Sequence, residues 1–283
     1  MELCGKIDKL KSILKAMGSV AVAYSGGVDS TFLLKMAYDV LRDDVIAVTG
    51  RSSAYPEREF REAVDFAKAV GIRHIVIRSE ELDIEGFADN PVDRCYLCKR
   101  ELFSKIAEVA RDNGVKYVVD GSNVDDHADY RPGMKAVREL GIICPLEEAG
   151  MTKADIRAAS REMGLMTWDK PAFACLSSRF PYGQKITAEG LQAVDKAEQF
   201  LMDLGFRQVR VRHHGDLARI EVSPEERSKF FDTALMDIVH DRFREAGFAY
   251  VSLDLRGYRT GSMNEIIRKT DPEPKRDRQG GNA

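Results

Sequence analysis

Ser25-Gly26-Gly27-Val28-Asp29-Ser30 follows the apolar run Val20–Tyr24 and precedes Phe32, Leu33, Met36, Ala37, Val40 and Leu41, which recur at helical spacing. A buried strand that passes through two glycines into a helix reads as a phosphate-binding turn. Glycine lets the backbone turn tightly and approach a ligand. The unsatisfied N–H groups and positive dipole at a helix start suit an anion. Ser25 and Ser30 add hydroxyl donors, and Asp29 is a candidate Mg²⁺ ligand. The competing reading is an ordinary glycine-rich turn.

On either side of this turn the chain alternates strand and helix. Ile7, Leu10, Ile13, Leu14 and Met17 make a helical stripe; Val45–Thr49 reads as a strand, Pro56–Val70 as a helix and Arg73–Ile77 as a strand. Leu102, Phe103, Ile106, Val109 and Ala110 mark another helix before the strand Tyr117–Asp120. Such repetition predicts an α/β fold, a doubly wound parallel sheet covered on both faces. Thr152 with Asp155 reads as an N-cap pair. Residues 168–183 show no period and read as a long loop, a length at which loops are usually functional. Beyond it come a helix over 188–204, a hairpin around His214-Gly215-Asp216, a helix opened by Ser223-Pro224-Glu225-Glu226 and carrying Phe230, Phe231, Leu235, Ile238 and Phe243, and a strand Tyr250–Leu253. The expected organisation is a nucleotide domain over 1–167, a smaller α+β domain over 168–269 and a disordered tail over 270–283.

The 283 residues hold 43 Lys and Arg against 46 Asp and Glu, a net charge of -3. That balance gives no footprint for nucleic acid. No apolar run reaches the ~20 residues that span a bilayer, and the first 15 residues lack a signal-peptide core. A soluble, cytoplasmic protein without membrane partners is expected. Five cysteines, an odd number, argue against a disulfide scaffold.

Gly121-Ser122-Asn123-Val124-Asp125-Asp126 follows a strand at the carboxyl edge, where ligands bind in such sheets. Asp125 and Asp126 read as metal or ribose ligands, or as an Asx turn. Arg131 reads as facing phosphate or as a surface residue. Cys95 and Cys98 are spaced to grip one metal, and Cys175 in the long loop is the third candidate. Arg179 lies close enough in sequence to favour the Cys175 thiolate. Cys144 reads as core filler and Cys4 as incidental. Arg210, Arg212 and His214 share one face of a strand, either a positive surface for an anionic substrate or a solvated outer face. Glu221 on the partner strand could hold Mg²⁺ or pair with an arginine.

The loop Ser25–Ser30 resembles the PP-loop of the ATP pyrophosphatases, which cleave ATP between its α and β phosphates and adenylate a substrate oxygen. That resemblance implies that Ser53 and Gly121 lie near the adenine or ribose. The segment from Pro171 through Ala174-Cys175-Leu176-Ser177-Ser178-Arg179 to Gly183, with Gly257–Asn264, resembles the LarE family of ATP-dependent sulfur transferases. The implied substrate is pyridinium-3,5-biscarboxylic acid mononucleotide, whose carboxylate becomes a thiocarboxylate in nickel-pincer cofactor biosynthesis. The resemblance favours Arg212 as a substrate residue. Simpler family members give up the sulfur of the cysteine matching Cys175; others hold an iron–sulfur cluster on a trio matching Cys95, Cys98 and Cys175. Three thiolates on a [4Fe–4S] cluster leave one iron open for sulfide. Zinc is the competing occupant, with His127 or Cys144 as a fourth ligand. Homo-oligomers are implied by resemblance alone. The alternatives are another PP-loop adenylating enzyme, such as a tRNA thiolase or an amidotransferase-type synthetase, and a non-catalytic nucleotide-binding module.

Overall fold

The computed structural model describes residues 2–128, 132–171, 174–259 and 261. In chain order the first elements are α1 (Leu3–Met17), β1 (Val20–Ala23), α2 (Val28–Leu41), β2 (Val45–Arg51), α3 (Glu57–Val70), β3 (Arg73–Arg78), α4 (Arg94–Asp112) and β4 (Tyr117–Val119). These strands form a parallel sheet in the order β3-β2-β1-β4. β1 reads Val-Ala-Val-Ala and β2 opens Val-Ile-Ala-Val, both without polar alternation, as strands covered on two faces must. Leu10, Leu14, Phe32, Leu33, Ile156 and Ala159 fill one face; Phe103, Ile106, Val137 and Ile142 fill the other. Cys144 lies in this second layer, as core filler. The chain runs outward from β1 through β2 to β3, then returns to place β4 on the opposite side of β1. The sheet therefore reverses order between β1 and β4, and a ligand crevice opens at such a switch point.

α5 (Gly133–Glu139), α6 (Pro145–Glu148) and α7 (Lys153–Glu162) follow. The expected cap is a complete capping box: Thr152 receives the Asp155 N–H, and the Asp155 side chain receives that of Thr152.

The rest of the chain is α8 (Ala188–Asp203), β5 (Val209–His214), β6 (Leu217–Val222), α9 (Thr233–Ala246) and β7 (Tyr250–Leu253). β5 and β6 make the expected antiparallel hairpin, and β7 joins β6 in parallel. Leu191, Val194, Leu201, Val211, Ile220, Phe243 and Phe248 pack beneath this sheet, and Ala54 and Phe87 from the first half of the chain are buried in the same core. The helix expected from Ser223 is broken. A 3-10 segment, Pro224–Phe231, stops at extended Asp232, whose carboxylate caps α9 by accepting from Ala234 N and Leu235 N. The break turns Phe231 outward, 81% exposed, instead of into the core. No helix among the described residues is long and apolar enough to cross a membrane.

Candidate active site

The glycine loop sits in the β1/β4 crevice and closes on itself. Ser30 Oγ accepts from Ser25 N at 3.3 Å, lies 3.1 Å from Ser25 Oγ and donates to Gly27 O at 3.3 Å. Gly26 takes φ +64°, and a Cβ there would lie 3.0 Å from Ala63 Cβ. Gly27 begins α2 with no side-chain cap, so its first N–H groups are left for a ligand. A Cβ on Gly121 would lie 3.0 Å from Ser30 N. The backbone after β4 thus rests directly on the loop after β1.

Asp29 pairs with Lys153 Nζ, and its Oδ1 is buried with no hydrogen-bond partner among the described residues. Burial pushes the Asp29 carboxyl up, and Lys153 opposes that shift. Asp125 accepts from Lys153 N at 2.7 Å, so Lys153 ties the two crevice loops together. Asn123 N–H donates to Asp126 Oδ2, and Asp125 N–H to Asn123 Oδ1, each at 3.0 Å, an Asx-type turn, one of the two readings of this stretch. Lys153 escaped the sequence reading. Its signal was the capping box, which places it at the first helical position. Ser53 points its N–H and hydroxyl at Glu80 Oε2, at 3.1 and 2.7 Å. Arg131 lies outside the described residues. Lys170, also missed, reaches Gly26 O at 3.2 Å and Glu59 and Glu62 at 2.7 Å each.

Cys95 and Cys98 occupy the first two turns of α4, and Cys175 precedes the 3-10 turn Leu176–Arg179. The two segments are joined by Asn90. Its Nδ2 donates to Phe180 O at 3.1 Å and Pro181 O at 2.7 Å, while its carbonyl accepts from Gly183 N at 3.0 Å. Asn90 is fully buried and takes φ +56°, a left-handed conformation that Asn tolerates better than most residues. Cys98 Sγ donates to Glu81 Oε1 at 3.6 Å. Burial, then Glu81, then the Cys175 and Cys95 sulfurs push the Cys98 thiol up. Burial and Glu81 push Cys175 up to about 11. Cys175 is nevertheless open to solvent. Among the described residues, no three His, Cys, Asp or Glu side chains are grouped to hold a metal ion.

The Cys175 thiol is raised, not lowered as the spacing predicted: burial and Glu81 outweigh the attraction of Arg179. The Arg179 guanidinium is fully buried and bonds Glu198 through two contacts, at 2.8 and 2.6 Å. It also donates to Ala174 O at 2.6 Å, Cys175 O at 3.1 Å and Ser178 Oγ at 2.9 Å. Its place is beneath the cysteine loop, holding the backbone.

The arginine face of β5 is neither a solvated outer face nor an open binding surface. Arg210 and Arg212 are 3% and 6% exposed. Arg212 donates to Glu221 Oε2 at 2.7 Å and to Ser178 O at 3.0 Å. Arg210 lies over the Tyr258 ring, with Cζ 5.2 Å from its centroid. Glu221, also buried, pairs with both Arg212 and Arg219, at 2.7 and 3.1 Å. This is the pairing left open against Mg²⁺. Arg212 and Glu221 enter the interior as opposite partners.

A glycine loop at the switch point of a parallel sheet, opening an uncapped helix beside a buried carboxylate, defines a nucleotide-using α/β enzyme. The NAD synthase family matches residues 5–99. The chain is 41% identical to pyridinium-3,5-bisthiocarboxylic acid mononucleotide synthase of Lactiplantibacillus plantarum, covering 94% of this chain and 96% of that one. It is 42% identical to the uncharacterised protein slr1717 of Synechocystis, over 93% and 98% of the two chains. It is 30% identical to the tRNA-specific 2-thiouridylase of Azorhizobium caulinodans, over 54% of this chain and 48% of that one. The chain belongs to the LarE family and is an ATP-dependent sulfurtransferase of the PP-loop superfamily.

Proposed function

We propose that the protein adenylates a carboxylate of pyridinium-3,5-biscarboxylic acid mononucleotide and exchanges the activated oxygen for sulfur delivered at Cys175. The match to the synthase over nearly the whole of both chains carries this reading. A carboxylate oxygen attacks the α-phosphorus of ATP, and pyrophosphate leaves with the electron pair of the broken P–O bond. Sulfur then attacks the acyl carbon, and AMP leaves with the C–O pair.

Ser25, Gly26, Gly27 and Ser30 cradle the phosphates with backbone N–H groups and hydroxyls. Asp29 would hold Mg²⁺ through its unpartnered buried Oδ1. When bound, the ion neutralises charge on the departing pyrophosphate. Ser53, Gly121 and Asp125 flank the nucleoside. Arg210 and Arg212, buried beneath the cysteine loop, act on the anionic substrate through their positive charge and not by open contact.

Cys95, Cys98 and Cys175 offer an all-thiol donor set whose chemistry suits an iron–sulfur cluster, and a cluster would have to bring the three sulfurs into one group. Bound there, a [4Fe–4S] cluster would supply an open iron for an added sulfide. Zinc needs a fourth protein ligand; of the two candidates, Cys144 lies in the core of the first sheet, and the side chain of His127 lies outside what is described. The test begins with protein purified without oxygen, in which iron, acid-labile sulfide and intact mass are measured before and after turnover. AMP and thiocarboxylate with unchanged mass are expected. A colourless, iron-free protein that loses the mass of H₂S in turnover makes Cys175 itself the donor. Release of ADP, or no reaction with the mononucleotide, overturns the reading as a whole.

A further inference from the structure

Four arginines are buried among the described residues: Arg94, Arg179, Arg210 and Arg212. The last three are held by carboxylates, carbonyls or a ring already described. Arg94 is different. It is the first residue of α4, next to Cys95, and is 5% exposed. Its Nη1 is buried without a hydrogen-bond partner, and no carboxylate among the described residues pairs with it. One face of the guanidinium lies against Tyr182, with Cζ 4.7 Å from the ring centroid. Stacking of this kind satisfies the face of the group and leaves its N–H edge unsatisfied.

An unpaired buried guanidinium is costly, because desolvation is not repaid by any counter-charge. An unsatisfied group of this kind in a folded protein calls for an explanation. The surroundings point to an anion. The N-cap of α4, Asp93, makes no side-chain cap, so the positive end of a 19-residue helix adds to the same field. Tyr182 lies two residues beyond Phe180 and next to Pro181, whose carbonyls Asn90 holds. The Arg94 edge therefore lies at the seam between the paired cysteines and the Cys175 loop.

We infer that Arg94 is a carboxylate-binding residue, which grips the aromatic dicarboxylate substrate through the carboxyl group that is not being activated. The planar fork of Arg matches a carboxylate through two parallel N–H···O bonds. The grip would orient the ring so that the second, adenylated carboxyl faces Cys175. This inference rests on the substrate class proposed above.

The test is calorimetric, on the full-length protein without turnover, with pyridine-3,5-dicarboxylate as the probe and inorganic phosphate as the comparison. The parent protein is expected to bind the dicarboxylate, and Arg94→Met to lose affinity by at least about tenfold. Arg94→Lys should recover only part of it, having no fork. The urea midpoint of ligand-free Arg94→Met should equal or exceed that of the parent, since an apolar side chain replaces an unpaired buried charge. A variant that unfolds more readily and binds the dicarboxylate as the parent does would make Arg94 a structural residue. Phosphate binding in place of the dicarboxylate would overturn the ligand class. If the mononucleotide is turned over but the dicarboxylate does not depend on Arg94, this inference alone fails. If Arg94 governs the dicarboxylate but no sulfur is transferred, the functional reading alone fails.

Discussion

The side chain of Asn90 donates two hydrogen bonds to the carbonyls of Phe180 and Pro181, joining positions 90 and 91 residues apart. These bonds set the segment before Cys95 against the segment after Cys175. Phe87 and Phe180 are buried in one core, and the Asn90 bonds add a directional, polar register to that packing.

Asn90→Gly keeps the left-handed backbone and removes the two side-chain bonds, so it should cost about 1–3 kcal/mol. Asn90→Ala should cost about 1 kcal/mol more, because it adds a Cβ at φ +56°. Urea denaturation measures both. Pyrophosphate release should survive in Asn90→Gly while sulfur transfer falls. Equal loss of the two half-reactions would show that the latch serves the whole fold.

Asp29→Asn keeps the shape of the loop residue and removes its charge. Release of pyrophosphate should fall by at least about a hundredfold, with the fold intact by circular dichroism. Release at the parent rate would remove Asp29 from the metal role.

Arg212 and Glu221 are buried together, so removing one leaves the other uncompensated. Arg212→Ala should destabilise by about 3–5 kcal/mol, and Arg212→Met with Glu221→Leu should recover most of it. Chemical denaturation of the single and double variants measures this coupling. Substrate affinity for Arg212→Ala is meaningful only below its unfolding transition.

His213 stacks on Phe180, with ring centroids 4.5 Å apart, and burial, followed by His214, holds its pKa below the usual histidine value. The unfolded chain takes up a proton near pH 6.5 that the folded site resists. The histidine's contribution is complete above that pH and is lost as the pH falls. The parent should therefore lose stability relative to His213→Gln between about pH 7 and 5.5. Parallel urea midpoint curves over that range would remove His213 as the cause.

The first sheet was legible because its signals are local: unbroken apolar strands, a glycine turn between strand and helix, and a capping box. The arginines of β5 were misread because alternation reports which residues share a face, not whether that face meets water. A correcting signal existed in α8. Glu198 falls in the apolar stripe Leu191, Val194, Leu201, and an acid there requires a buried cation. That cation is Arg179, 19 residues away. Asn90 and Lys170 could not be singled out, since their roles arise only when distant segments meet.

Lys170 rests on the carbonyl of Gly26, and Cys175 follows it five positions later. Five residues of fully extended chain reach at most about 18 Å. Covalent bonds alone therefore set a leash on the thiol, measured from a residue that touches the phosphate loop. An acyl adenylate formed in the crevice has a bounded distance to travel, whatever the rest of the molecule does. Inserting residues between Lys170 and Cys175 would lengthen the leash without altering either anchor.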